Sequence, residues 1–111
     1  MYNSLSFSLE LTANSEGEEA LYTVPYRRIA IKRVRVTFQS GSKGYVSLAL
    51  KYGDAKVAPV SGYWYSNDGT LVEDLDLKYF LGDRVVLWWK NTNTSTSFTI
   101  IGDLEFEVEE V

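Results

Sequence analysis

The feature of this chain that most constrains its fold is a hydrophobic pattern that repeats every two residues. From Phe98 to Val108 the even positions hold apolar residues or glycine, and the odd positions, apart from Ile101, hold polar or charged ones. Because successive side chains of a strand point to opposite faces, this pattern is typical of a strand with one buried face. Residues 5–11 and 46–52 alternate in the same way, and no segment has the helical period of 3.6. The sequence therefore predicts an all-β chain.

Segments rich in Gly, Asn, Asp and Ser divide the alternating pattern into eight predicted strands. These cover residues 3–12, 19–26, 28–39, 44–52, 62–66, 70–77, 84–91 and 97–109. Short strands at this spacing are typical of sandwiches. Since 111 residues suffice for one hydrophobic core and not for two, we expect a single antiparallel β-sandwich domain over residues 1–111. Residues 54–61 are the longest predicted loop.

The predicted strand 28–39 changes its buried face midway. Its apolar residues occupy odd positions as far as Ile31 and even positions from Val34 onward. A β-bulge at Lys32 and Arg33 produces such a change, and so does a strand that passes from one sheet to the other.

The predicted strand 84–91 is apolar on both faces, because Val86 and Trp88 lie opposite the apolar set Val85, Leu87 and Trp89. Both faces therefore require cover. Either a loop of the same chain or a neighbouring subunit can cover the second face, and we take Val86 and Trp88 as candidate interface residues.

The residues that most often catalyse reactions near neutral pH are absent, since the chain has no histidine and no cysteine. Serine triads and thiolate metal sites are thereby excluded. Glu73, Asp74 and Asp76 lie close together, but alternation places Glu73 on the face opposite to the two aspartates, and a solvated strand explains them. We predict a protein that is not an enzyme and that uses no metal or cofactor.

Charge is unevenly distributed along the chain. Five of the eleven basic residues fall within 27–35, and five of the fifteen acidic residues fall within 103–110. Two strands with opposite charges on their wet faces can pair within one sheet or between subunits. The candidate contact residues are Arg33, Arg35, Glu105 and Glu107. The net charge of −4 argues against nucleic acid as a partner, and the short apolar runs argue against membrane insertion.

Aromatic residues form a further candidate site at Tyr63, Trp64 and Tyr65, just before the turn at residues 66–69. Flat rings stack on the apolar face of a sugar, and nearby Asn and Asp side chains bind hydroxyl groups. Alternation places Trp64 on the face opposite to the two tyrosines. The triplet is therefore a candidate ligand-binding platform, with a role in the core or in a subunit interface as the alternative.

The second half of the chain resembles a known group of proteins. The segments LVEDLDL at 71–77, YFLGDRVVLW at 79–88, NTNT at 91–94 and FTIIG at 98–102 resemble the closing strands of jelly-roll modules. Such modules occur in viral capsid, decoration, fibre and receptor-binding proteins and in tumour-necrosis-factor-like trimers. The resemblance implies a jelly-roll sandwich, and no functional residue is carried over from it.

These observations together predict a non-enzymatic structural protein of the virion surface that assembles with itself as a homotrimer. Its further partners would be other virion proteins or a host surface glycan. The alternative is an extracellular carbohydrate-binding module that uses Tyr63, Trp64 and Tyr65 as its platform.

Overall fold

The computed structural model describes residues 2–109, apart from the side chain of Tyr2. The described residues form nine strands. In chain order these are β1 (Tyr2–Leu11), β2 (Ser15–Thr23), β3 (Arg28–Phe38), β4 (Val46–Tyr52), β5 (Ala55–Ala58), β6 (Trp64–Tyr65), β7 (Thr70–Phe80), β8 (Arg84–Asn91) and β9 (Phe98–Val108). No helix in this range is long and apolar enough to cross a membrane.

The strands form two antiparallel sheets. The first sheet has the order β1-β9-β3-β7, and the second has the order β2-β8-β4-β5, with β6 also paired to β4. Because β5 pairs with residues 50–52 of β4 and β6 pairs with residues 47–48, the two short strands occupy one sheet edge as a single interrupted strand. With β5 and β6 counted together, the chain has the eight strands and the sheet-to-sheet crossings of a jelly roll, as predicted.

The hydrophobic core lies between the two sheets. It draws on the inward residues of β3, β4, β8 and β9, which the alternating pattern places on one face of each strand. The largest fully buried aliphatic side chains are those of Leu11, Ile29, Ile31, Leu48, Leu50, Leu87, Ile100 and Leu104.

The predicted change of buried face in β3 is a β-bulge. The pairing register shifts between Ile31 and Arg33 against both neighbouring strands, β7 and β9. The extra residue lets Ile31 and Val34 both point into the core, although they are an odd number of positions apart.

Two sequence predictions about strand boundaries are wrong. The predicted loop 54–61 contains β5, and β2 begins at Ser15 rather than at residue 19. In β2, Gly17 is a packing residue and not part of a turn, because a Cβ atom there would lie 2.9 Å from Cζ2 of Trp89. Between the predicted strands 3–12 and 19–26, Asn14 has a positive φ of 49°, which is typical of a turn.

Candidate functional site

The outer face of the second sheet carries a group of aromatic side chains. Trp88 of β8 is paired with Ala49 of β4, and Tyr65 of β6 is paired with Ser47 of β4, so these side chains share one face. We define the aromatic face as the surface formed by Ala49, Tyr63, Tyr65, Val86 and Trp88.

A loop of the same chain covers part of this face. Tyr63 lies just before β6, and its ring packs on Trp88 with a centroid distance of 4.9 Å and an angle of 38° between the planes. Ala49 beneath the rings is buried, whereas Tyr63 and Tyr65 are exposed. Val86 and Trp88 stay half-buried, so part of the apolar surface remains open to solvent.

Charged groups surround the aromatic rings. The indole Nε1 of Trp88 donates a hydrogen bond to Oε2 of Glu16 at 3.2 Å. The ammonium group of Lys51 donates to the carboxylate of Glu18, and this hydrogen bond raises the pKa of Lys51. Lys56 Nζ lies 5.6 Å from the centroid of the Tyr63 ring, close enough for a cation–π contact.

A shallow cavity of about 180 Å³ opens beside the ring pair. Its lining residues are Ala49, Lys51, Asp54, Lys56, Tyr63 and Trp88. The carboxylate of Asp54 is exposed, and its negative charge helps to raise the pKa of Lys51. The cavity thus combines aromatic surface with two ammonium groups and one exposed carboxylate.

The three aromatic residues at 63–65 do not share one surface. Trp64 points into the core and is buried, and its indole donates a hydrogen bond to Glu73 of β7. This arrangement follows the predicted alternation. The structure therefore brings Tyr63 and Tyr65 together with Val86 and Trp88, and it places Trp64 between the two sheets.

The basic and acidic segments lie on neighbouring strands of the first sheet, within one chain. Arg33 is paired in register with Glu105, and Arg35 with Asp103. Arg35 NH1 lies 3.5 Å from Oδ2 of Asp103, whereas Arg33 Nε donates to Oδ1 of Asp74 on β7 at 2.9 Å. Because β3 is flanked by both β9 and β7, its cations pair on both sides.

Glu107 is paired in register with Ala30 rather than with an arginine. The period of two places Asp74 and Asp76 on the wet face of β7, but it does not identify them as partners of the β3 cations.

A chain of ion pairs crosses one end of this outer face. Asp76 Oδ1 lies 2.9 Å from Nζ of Lys32 and 3.4 Å from Nζ of Lys78. Glu109 Oε1 lies 2.9 Å from Nζ of Lys78 and 3.4 Å from Nε of Arg28. Hydrogen bonds from Lys32 and Lys78 lower the pKa of Asp76, and the hydrogen bond from Lys78 lowers the pKa of Glu109.

We expect these two carboxylates to make the folded state sensitive to acid. Their pKa values are lower in the folded chain than in the unfolded chain, so their contribution is present above about pH 5 and is lost as the pH falls below about 4. The urea concentration at the midpoint of unfolding should therefore decrease as the pH is lowered from neutral to about 3. In the double variant Asp76→Asn, Glu109→Gln the fall should be smaller, and an identical fall would contradict this assignment.

The two sheets and their connections define a β-sandwich of the jelly-roll class with an open aromatic face. No protein-family model matches the sequence. No curated protein sequence matches it either.

Solved structures of two phage capsids contain chains with the same fold. In the cyanophage Pam1 capsid asymmetric unit, the similarity covers 97% of this chain and 85% of the matched chain, with a TM-score of 0.61 and 10% identity. In the acid-stable capsid of Helicobacter pylori bacteriophage KHP30, it covers 100% of this chain and 97% of the matched chain, with a TM-score of 0.59 and 14% identity. The resemblance to viral jelly-roll proteins is thus confirmed at the level of the fold.

Proposed function

We propose that this chain is a non-enzymatic structural component of a virus capsid that lies on the virion surface and assembles as a homotrimer. The observation that carries the proposal is the match with two capsid chains over nearly the whole length of both partners. Since the coverage is high in both directions, the matched chains are little longer than this one.

The aromatic face supports a role in assembly. Trp and Tyr side chains at the centre of a patch, with charged residues around them, are typical of the energetic centre of a protein interface. Here Trp88 and Tyr63 form the centre, and Glu16, Glu18 and Lys51 lie around them. In a ring of three copies, this face of one chain would contact a different surface of the next.

The side-chain chemistry supports a structural role rather than a catalytic one. Serine and threonine hydroxyls lack the histidine that would activate them. Glu73, the carboxylate of β7 that points inward, accepts a hydrogen bond from the Trp64 indole. Asp74 and Asp76 are on the opposite face and form ion pairs.

A native mass measurement tests the proposal. We expect the purified protein to have three times the single-chain mass of 12.6 kDa, with monomers appearing only on dilution. A protein that stays monomeric at the highest concentration reached would contradict the homotrimer.

A second candidate function is a carbohydrate-binding module, which the cavity beside Tyr63 and Trp88 favours. The exposed face of Tyr63 can stack on a sugar ring, while Lys51, Asp54 and Lys56 can bind its hydroxyl groups. A volume of about 180 Å³ suits a single sugar unit better than a longer chain. Retention of a monomeric protein on a polysaccharide column, with loss of retention in Tyr63→Ala, would favour this function over the structural one.

A further inference from the structure

A groove separates the two sheets along one side of the sandwich, between β5 and β7. Its volume is about 380 Å³. Its lining includes the apolar residues Val57, Val60, Leu75 and Leu77 and the carboxylates of Asp74 and Asp76. Leu75 and Leu77 point inward but are only half-buried, and Val60 is 98% exposed. The apolar surface in this groove is therefore incompletely covered by the chain's own residues.

The edge of the first sheet beside this groove is unpaired. β7 is 11 residues long and, among the described strands, pairs only with β3. Alternate backbone N–H and C=O groups of β7 therefore point away from the sheet, where an added strand could bind them. On the facing edge, β5 pairs only with β4 within the same described range.

The β7 edge also presents carboxylates. The side chains of Asp74 and Asp76 are 78% and 63% exposed, although both form ion pairs with β3. Lys78, the cation of β7, is bound by Asp76 and Glu109. Carboxylate oxygens thus remain accessible along the strand, beside the apolar groove.

We propose that the β7 edge and its groove bind an extended segment of another polypeptide in which apolar and basic residues alternate. The segment adds to the first sheet as a further strand and hydrogen-bonds to the backbone of β7. Its apolar side chains point inward onto Leu75, Leu77 and Val57. Its basic side chains point outward and pair with Asp74 and Asp76.

When β7 pairs with another β7 in antiparallel register about Leu75, a second copy of this chain fits the edge less well than a segment of opposite charge. In that register Asp74 of each copy lies opposite Asp76 of the other. Like charges in directly opposed positions destabilise a sheet. A basic segment meets no such repulsion at either aspartate.

The test uses the whole protein and three short capped peptides. The first alternates Val and Lys, the second alternates Val and Glu, and the third is the Val-Lys peptide with N-methyl groups on alternate backbone nitrogens. N-methylation keeps the charge and the apolar side chains of the peptide but removes the backbone N–H groups that would donate to β7. Fluorescence anisotropy of labelled peptides measures affinity, and amide hydrogen exchange locates the binding site.

We expect the Val-Lys peptide to bind and to slow exchange along β7. The N-methylated peptide and the Val-Glu peptide should bind at least about tenfold more weakly, and so should the Val-Lys peptide to the double variant Asp74→Asn, Asp76→Asn. If the N-methylated peptide binds as tightly as the unmodified Val-Lys peptide, backbone hydrogen bonds to β7 do not contribute to binding, and the proposal is overturned. The absence of binding, or a wild-type protein that dimerises through β7, would also overturn it. Native mass measurement tests the homotrimer independently of peptide binding. A failure of the peptide experiment therefore does not contradict the proposed capsid function.

Discussion

Leu48→Ala is expected to lower the free energy of unfolding by about 2–5 kcal/mol, as other large-to-small substitutions in a core do. Leu48 is 0% exposed and lies in β4, between Trp64 of β6 and Trp89 of β8 in the sheet register. These neighbours are held by two strands and can collapse only partly into the space that the lost methyl groups leave. Urea unfolding followed by tryptophan fluorescence gives the difference directly.

Leu81→Ala is the matched control for this measurement. Leu81 lies in the turn between β7 and β8 and is 65% exposed, so the same substitution should change the free energy of unfolding by no more than about 0.5 kcal/mol. Equal losses in the two variants would contradict the assignment of Leu48 to the inner face of the second sheet.

The strands that the sequence predicts well are those with strict alternation. In β9 and β4 one set of residues is apolar over the whole length, and a shift of register by one position would expose all of that set to water. Even the bulge in β3 could be predicted, because Ile31 and Val34 share a face, and β3 has one residue more between them than the paired segment of β9.

The misassigned segments lack that local signal. In β5, Ala55–Ala58 is short, is not alternating and is followed by Pro59, so its strand conformation comes from pairing with β4. Gly17 is of a residue type that is common in turns. It lies in a strand, at a position where the Trp89 ring leaves no room for a Cβ atom. Both cases depend on residues distant in the chain, which a local pattern does not contain.

The sequence likewise predicts one part of the candidate site and not the other. Alternation is enough to separate Trp64 from Tyr63 and Tyr65. It does not reveal that the loop before β6 folds back and packs Tyr63 on Trp88, because that contact joins residues 25 positions apart. Nor does it reveal that Arg33 of β3 donates to Asp74 of β7, because that contact joins residues 41 positions apart.

Trp88→Arg is expected to give a folded monomer in place of the proposed trimer. Trp88 points to the outer face of the second sheet and is half-buried, so an arginine there can keep its charged group in water once the subunits separate. In the assembled state the same charge would be enclosed between subunits, where an unpaired cation costs far more than the contact provides. Native mass measurement reports the assembly state, and circular dichroism reports the fold.

Trp64→Arg is the matched control, because the same substitution at the buried tryptophan places the charge between the two sheets. Glu73, which accepts the hydrogen bond of the Trp64 indole, can pair with the new guanidinium. Taking both charges out of water in an otherwise apolar core costs more than the pair returns, and we expect this variant to unfold. If Trp88→Arg unfolds as Trp64→Arg does, the cover provided by Tyr63 is part of the chain's own core. If Trp88→Arg folds and still forms the proposed trimer, the aromatic face is not the subunit contact, and its open rings and cavity are left for a ligand such as a sugar.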